Sequence, residues 1–235
     1  MKDKRKQINR KQWKALLYKD LCDLRWNGQI LVLLITGIIL IFLFAMFPNV
    51  EIPISFLLAF VFGVITMVMQ GNLIVEEREQ RTILRLEQVG ISWKAVILSK
   101  MLVTFMTTAL LLIIFLIFYG GGFFFSLQIF ILAFPIVIIM LVAGTFLGIK
   151  TKNTIEISLF GMPIILLYFF VEGLLMNSNQ GDMLWLAIFP NYHLHYGISQ
   201  LESNEPFLSY LAVPFIWLAA VMIIFVSWYK TRNFN

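Results

Sequence analysis

Apolar residues run without interruption, rather than in alternation, through six stretches of the chain: residues 30–47, 54–75, 101–119, 127–149, 155–176 and 208–228. Each is close to the ~20 residues that a helix needs to cross the hydrocarbon core of a bilayer. Continuous runs predict helices, because strands of a membrane barrel would alternate apolar and polar positions. The pattern therefore predicts an all-α polytopic protein, one transmembrane domain over residues 1–235 with six spans. Ahead of the first run, Trp13, Leu16, Leu17, Leu21 and Leu24 recur at helical spacing among Lys and Arg. That spacing predicts an amphipathic interfacial helix within residues 1–29, drawn to anionic lipid.

Composition supports this reading and adds an orientation. Of 235 residues, 60% are hydrophobic and 13% charged, too apolar for a water-soluble fold. The 18 Lys and Arg divide as nine before the first run, five in 76–100, two in 150–154 and two in the tail. The alternate connections, 48–53, 120–126 and 177–207, hold none. Cytoplasmic loops are the ones that collect Lys and Arg, so both termini are expected in the cytoplasm of a multi-pass cell-membrane protein. The same bias accounts for the net charge of +5, with no nucleic-acid partner implied. The single cysteine, Cys22, excludes an intramolecular disulfide and a multi-cysteine metal site.

The second and third runs are joined by a charged hairpin, 76–94, beginning Glu76-Glu77-Arg78-Glu79-Gln80-Arg81-Thr82. Glu77 and Arg81 stand at i,i+4, and Ile83, Leu84 and Leu86 give the segment an apolar side. A short helix here suits docking to a cytoplasmic partner, although a solvated turn has the same composition. Glu77, Glu79, Thr82, Leu86, Gly90, Ser92 and Lys100 resemble the signature of the small six-helix type-two permeases of ABC exporters. Arg81 departs from it, since the family usually has Gly there, and Val89-Gly90 stands where Pro is frequent. The amphipathic helix, the six spans and Phe189-Pro190-Asn191-Tyr192 before the last run extend the likeness over most of the chain.

The resemblance implies a permease subunit that moves a hydrophobic or amphipathic substrate using ATP and Mg bound by separate ABC ATPase subunits. It implies a second permease subunit, identical or related, and no cofactor in this chain. ATPase coupling falls to Glu76, Glu77, Arg78, Glu79, Arg81, Thr82, Leu86 and Gly90. Compact permeases of this size are similar to exporters of lantibiotics and of cytolytic peptides such as phenol-soluble modulins.

Other positions suit a pathway or gate. Gln70 and Asn72 place amides inside the second run, where they bond across helices or line a route. Pro163 removes a backbone bond within the fifth run, and Glu172 is an ionisable group near its outer end. Phe189 and Tyr192 belong to a gate segment, 177–207. Gly144-Thr-Phe-Leu-Gly148-Ile-Lys150-Thr151 only approximates a phosphate-binding loop, because its Lys does not follow the second Gly. His193 and His195 supply two ligands, too few for a metal site.

A CAAX-type intramembrane protease is the main rival, with Glu76-Glu77-x-x-x-Arg81 and Phe189-x-x-x-His193 matching two of its motifs. That chemistry needs the glutamate and the histidine at one centre. The expected topology puts them on opposite faces of the membrane. A membrane substrate-binding subunit is the other alternative.

Overall fold

The computed structural model describes residues 9–46, 53–178 and 183–231, and all regular structure among them is helical. Residues 1–8 of the interfacial segment, 47 at the end of the first run, 48–52 of the first connection, 179–182 of the gate segment and 232–235 of the tail lie outside the described residues. The helices are α1 (Arg10–Trp26), α2 (Gly28–Met46), α3 (Ile54–Glu79), α4 (Thr82–Gln88), α5 (Trp93–Tyr119), α6 (Gly122–Lys150) and α7 (Thr154–Met176). A 3-10 turn at Leu184–Ile188 then leads to α8 (Pro190–Glu202), and a second at Leu208–Leu211 to α9 (Ala212–Thr231).

The helices α3, α5, α6, α7 and the stretch Leu208–Thr231 are long and apolar enough to cross a bilayer. Counting the bent pair of α1 and α2 as one span brings the number to six; α2 has no charged residue and its 19 residues rise about 28 Å. It is bent by 74° from the basic α1, so α1 runs across the direction of the span that follows it. Local sequence marks the ends. Asn9 and Gln12 form a capping box at α1, Ser92 caps α5, and Asn153 caps α7. Gly120 closes α5 at φ 79°.

The bundle is built around α3. Almost every residue from Ile54 to Val75 is buried, whereas α9 buries only Pro214. Within α3, Val61–Met67 widens into a π-helical stretch, where Thr66 Oγ1 donates to the Val61 carbonyl (3.0 Å) and bonds Thr108 of α5 (2.8 Å). The closest neighbour of α3 is α6. Their approach depends on Gly71, Gly144 and Gly148. A side chain at Gly144 would run into the Met67 carbonyl, and one at Gly148 would meet the Gly71 carbonyl at 2.7 Å. The Gly144-to-Gly148 stretch that approximated a phosphate loop is therefore a small-xxx-small packing seam inside a helix.

All described Lys and Arg residues lie toward one end of this bundle, in Arg10–Arg25, Arg78–Lys100, Lys150–Lys152 and at Lys230. Lys150 stacks on Phe146 and Trp228 (5.6 and 5.9 Å), and Lys94 on Tyr229 (5.6 Å), which ties the last turn of α9 to this basic end. The N-terminus of α3, the end of α7 and α8 make up the far end.

Candidate functional site

At the basic end, α3 continues past its apolar run, and the helical register carries Glu77 inward instead of into solvent. Glu77 is 3% exposed. Its Oε1 lies 2.8 Å from Lys100 Nζ of α5 and 2.5 Å from Lys19 Nζ of α1. Thr82, the first residue of α4, donates its hydroxyl to the Glu77 carboxylate and to the Glu77 carbonyl (3.1 Å). Lys100 also reaches Asp20 of α1 (3.3 Å), itself fully buried and bonded by the Ser99 hydroxyl. Lys19 closes the set on Asp23 (2.8 Å).

Four helices thus meet on one ionic network, buried at Asp20, Glu77 and Lys100 and open to solvent at Lys19 and Asp23. Burial alone would lower the Lys19 ammonium; its hydrogen bonds to Asp23 and Glu77, and their charges, outweigh that and hold it above the ordinary lysine range. The carboxylates of Asp20, Asp23 and Glu77 converge closely enough to hold a cation. The two ammonium groups already supply the positive charge there.

The neighbours of Glu77 are also tied into the fold. Glu76 accepts from Asn27 Nδ2 (2.7 Å) and Gln80 Nε2 (2.9 Å). Arg78 donates Nη1 to the carbonyls of Ile149 (2.7 Å) and Thr151 (2.9 Å), capping the C-terminus of α6. Arg81 adopts φ 53°, the left-handed turn between α3 and α4, and Gly90 adopts φ 82° after α4. Leu86 packs on Leu16, Ile91, Ala95 and Val96. The exposed face of α4 and its exit carries Leu84, Arg85, Glu87 and Val89, with Glu79 and Arg81 beside it.

The gate candidates divide between the core and the far end. Gln70 bridges Thr145 of α6 (3.0 Å) and Thr104 of α5 (2.7 Å), while Asn72 is buried with neither amide atom hydrogen-bonded. Pro163 sits on the exposed side of α7, which runs through it unbroken. Glu172 is fully buried, close to Asn191 Nδ2 (3.4 Å) and His195 Nδ1 (3.2 Å). Phe189 N-caps α8, and the Tyr192 ring lies tilted against that of Tyr196, with centroids 4.6 Å apart. Ser55 Oγ lies 2.8 Å from the same His195 Nδ1. A hydroxyl and a carboxylate on one ring nitrogen cannot form a Ser-His-Glu relay, which needs one on each.

The structure does not bring the protease pair together. Glu77 is near the C-terminus of α3, whereas His193 is two residues from His195, which meets Ser55 at its N-terminus; 22 residues of helix separate those points by about 33 Å. His193 Nε2 faces the Ala187 carbonyl at 2.8 Å.

The sequence pattern marks neither Lys19 nor Asp20 in the network, nor Asn191 and His195 as partners of Glu172, nor Ser55 as a partner of His195. A signal existed for Asp20, which shares a helix face with Leu16 four residues earlier. Against known proteins, a family model described as "ABC-2 family transporter protein" matches residues 52–228, about three quarters of the chain. The chain belongs to that family. An ABC-2 protein is the membrane component of an ABC transporter, so the spans and the buried seam of α3 and α6 belong to a permease. No curated protein and no solved structure is similar enough to this ABC-2 chain to count as a match.

Proposed function

We propose that this ABC-2 chain is the permease subunit of an ATP-driven exporter, oriented with its basic end in the cytoplasm. ATP and Mg are bound by a separate ATPase that docks on the exposed face of α4. A second permease subunit, identical or related, completes the transporter, and the largely exposed apolar side of α9 leaves surface for it. The substrate is hydrophobic or amphipathic, of the kind that antimicrobial and cytolytic peptides represent.

The observation that carries the coupling role is the Glu77 network. A push on α4 reaches Glu77 through Thr82, and Glu77 is bonded to α1 and α5 at once. Displacing α4 alone would strip the Thr82 hydroxyl from the Glu77 carboxylate, and displacing α1 or α5 would leave that buried charge short of an ammonium partner, so α1, α4 and the basic ends of α3 and α5 move together. Rigid transfer of this kind is what turns closure of two ATPases into a rearrangement of spans.

Co-expression with a candidate ATPase tests the reading through complex formation and ATP hydrolysis. Both are expected with the wild-type chain, and substitutions at Glu77 and Arg81 alter hydrolysis. If those variants bind and hydrolyse as the wild type does, the coupling role assigned here is wrong.

A further inference from the structure

The far end carries a feature that coupling does not use. A cavity of about 310 Å³ opens between the N-terminus of α3 and α8, lined by Pro53, Ile54 and Ser55 on one side and by His195, Ile198, Ser199 and Glu202 on the other. The four α8 residues follow at intervals of three, one and three, a single stripe of the helix. The lining is half apolar and half polar, as an amphipathic head requires. The one formal charge on it is Glu202, whose Oε1 accepts from Tyr119 Oη at 2.9 Å. Behind His195 stands a second, fully buried carboxylate, Glu172. No described Lys or Arg lies at this end, and the connections 48–53, 120–126 and 177–207 contain none in the sequence.

Glu202 at the rim, with no described Lys or Arg nearby, makes the cavity a site of negative potential bordered by isoleucine side chains, while Glu172 behind the wall is held on His195. We infer that it binds the primary ammonium group of an amphipathic molecule, with the alkyl part against Ile54 and Ile198 and the nitrogen on Glu202. That the occupant is cargo rests on the exporter reading; that it binds does not. The ammonium could be offered by a soluble amphiphile or by an aminophospholipid headgroup, and the two sources are separable.

The test uses the purified full-length chain in phosphatidylcholine nanodiscs, without any ATPase, carrying Ser199→Cys in a Cys22→Ser background. The rate of maleimide labelling at position 199 is measured with added hexylammonium or hexanol. At ten times its Kd the amine leaves about a tenth of the sites free, so labelling slows about tenfold. Hexanol, of the same alkyl length, leaves the rate unchanged. Adding Glu202→Gln weakens protection about tenfold, as expected for loss of a charged hydrogen bond. The unprotected labelling rate of that variant reports whether the cavity is still formed. Nanodiscs containing phosphatidylethanolamine decide the source: slowing without added amine assigns the site to a lipid head, and slowing by hexylammonium alone assigns it to a soluble amphiphile. Equal protection by hexanol, protection that survives Glu202→Gln, or none in either lipid overturns the inference. Because no ATPase takes part, these outcomes are independent of whether the coupling reading stands.

Discussion

Lys100 and Glu77 face each other at 2% and 3% exposure, and the cost of separating them sets the strength of the proposed linkage. Removing one partner of a buried pair leaves the other charge uncompensated, a loss of about 3–5 kcal/mol. Lys100→Met is therefore expected to lower the thermal midpoint of the detergent-solubilised protein steeply, by far more than Lys94→Met on the exposed side of the same helix. Arg81 offers the opposite sign. A non-glycine residue in the left-handed region carries about 1–2 kcal/mol of strain, partly offset by the greater freedom glycine has when unfolded. Arg81→Gly should then raise stability by up to about 1 kcal/mol, readable in the same melt. It also restores the residue usual at this position in the permeases that the hairpin resembles.

What could be read at this scale was the position of the charges along the chain, not the direction they face. Glu77 sits in a run of five charged residues within seven, which in isolation looks like a solvated turn. Its burial follows from α3 running four residues beyond its apolar stretch, and from Lys19, 58 residues earlier in the chain. No local pattern encodes a pairing so distant. The far-end pairing of Glu172 with His195 is of the same kind, across 23 residues and an intervening turn.

At the scale of elements, α3 and α6 are held by the near absence of side chains where their backbones meet. Gly148→Leu is expected to drive the two helices apart at the Gly71 carbonyl, at the upper end of the about 1–3 kcal/mol typical of overpacking, because a carbonyl cannot rotate away as a side chain can. Gly173→Leu, where an added Cβ meets nothing within 4 Å, provides the control and should leave the melt unchanged. Arg78→Ala removes two charge-assisted bonds to the end of α6 and is expected to raise amide exchange selectively in its last turn, at Leu147–Lys150. The spans themselves were legible, because a period-free apolar run of about 20 residues has few other solutions. The π stretch and the internal packing seam were not. Glycines four apart read equally well as a loop fragment until the facing Gly71 is placed beside them.

Taken whole, the molecule has two ends with different chemistry, joined by one buried helix. The basic end holds a rigid knot of four helices beneath the short exposed α4, and the far end holds buried Glu172 under an acidic cavity. In the proposed orientation the first faces the cytoplasm, where an ATPase is available to it. The most direct test of that assignment is site-specific photo-cross-linking in cells that contain the chain and its candidate ATPase. A photoreactive residue replacing Leu84, 61% exposed on α4, should capture the ATPase, and one replacing Leu208, 68% exposed at the far end, should not. Capture from Leu208, or its absence from Leu84 while the complex still forms, would contradict the account.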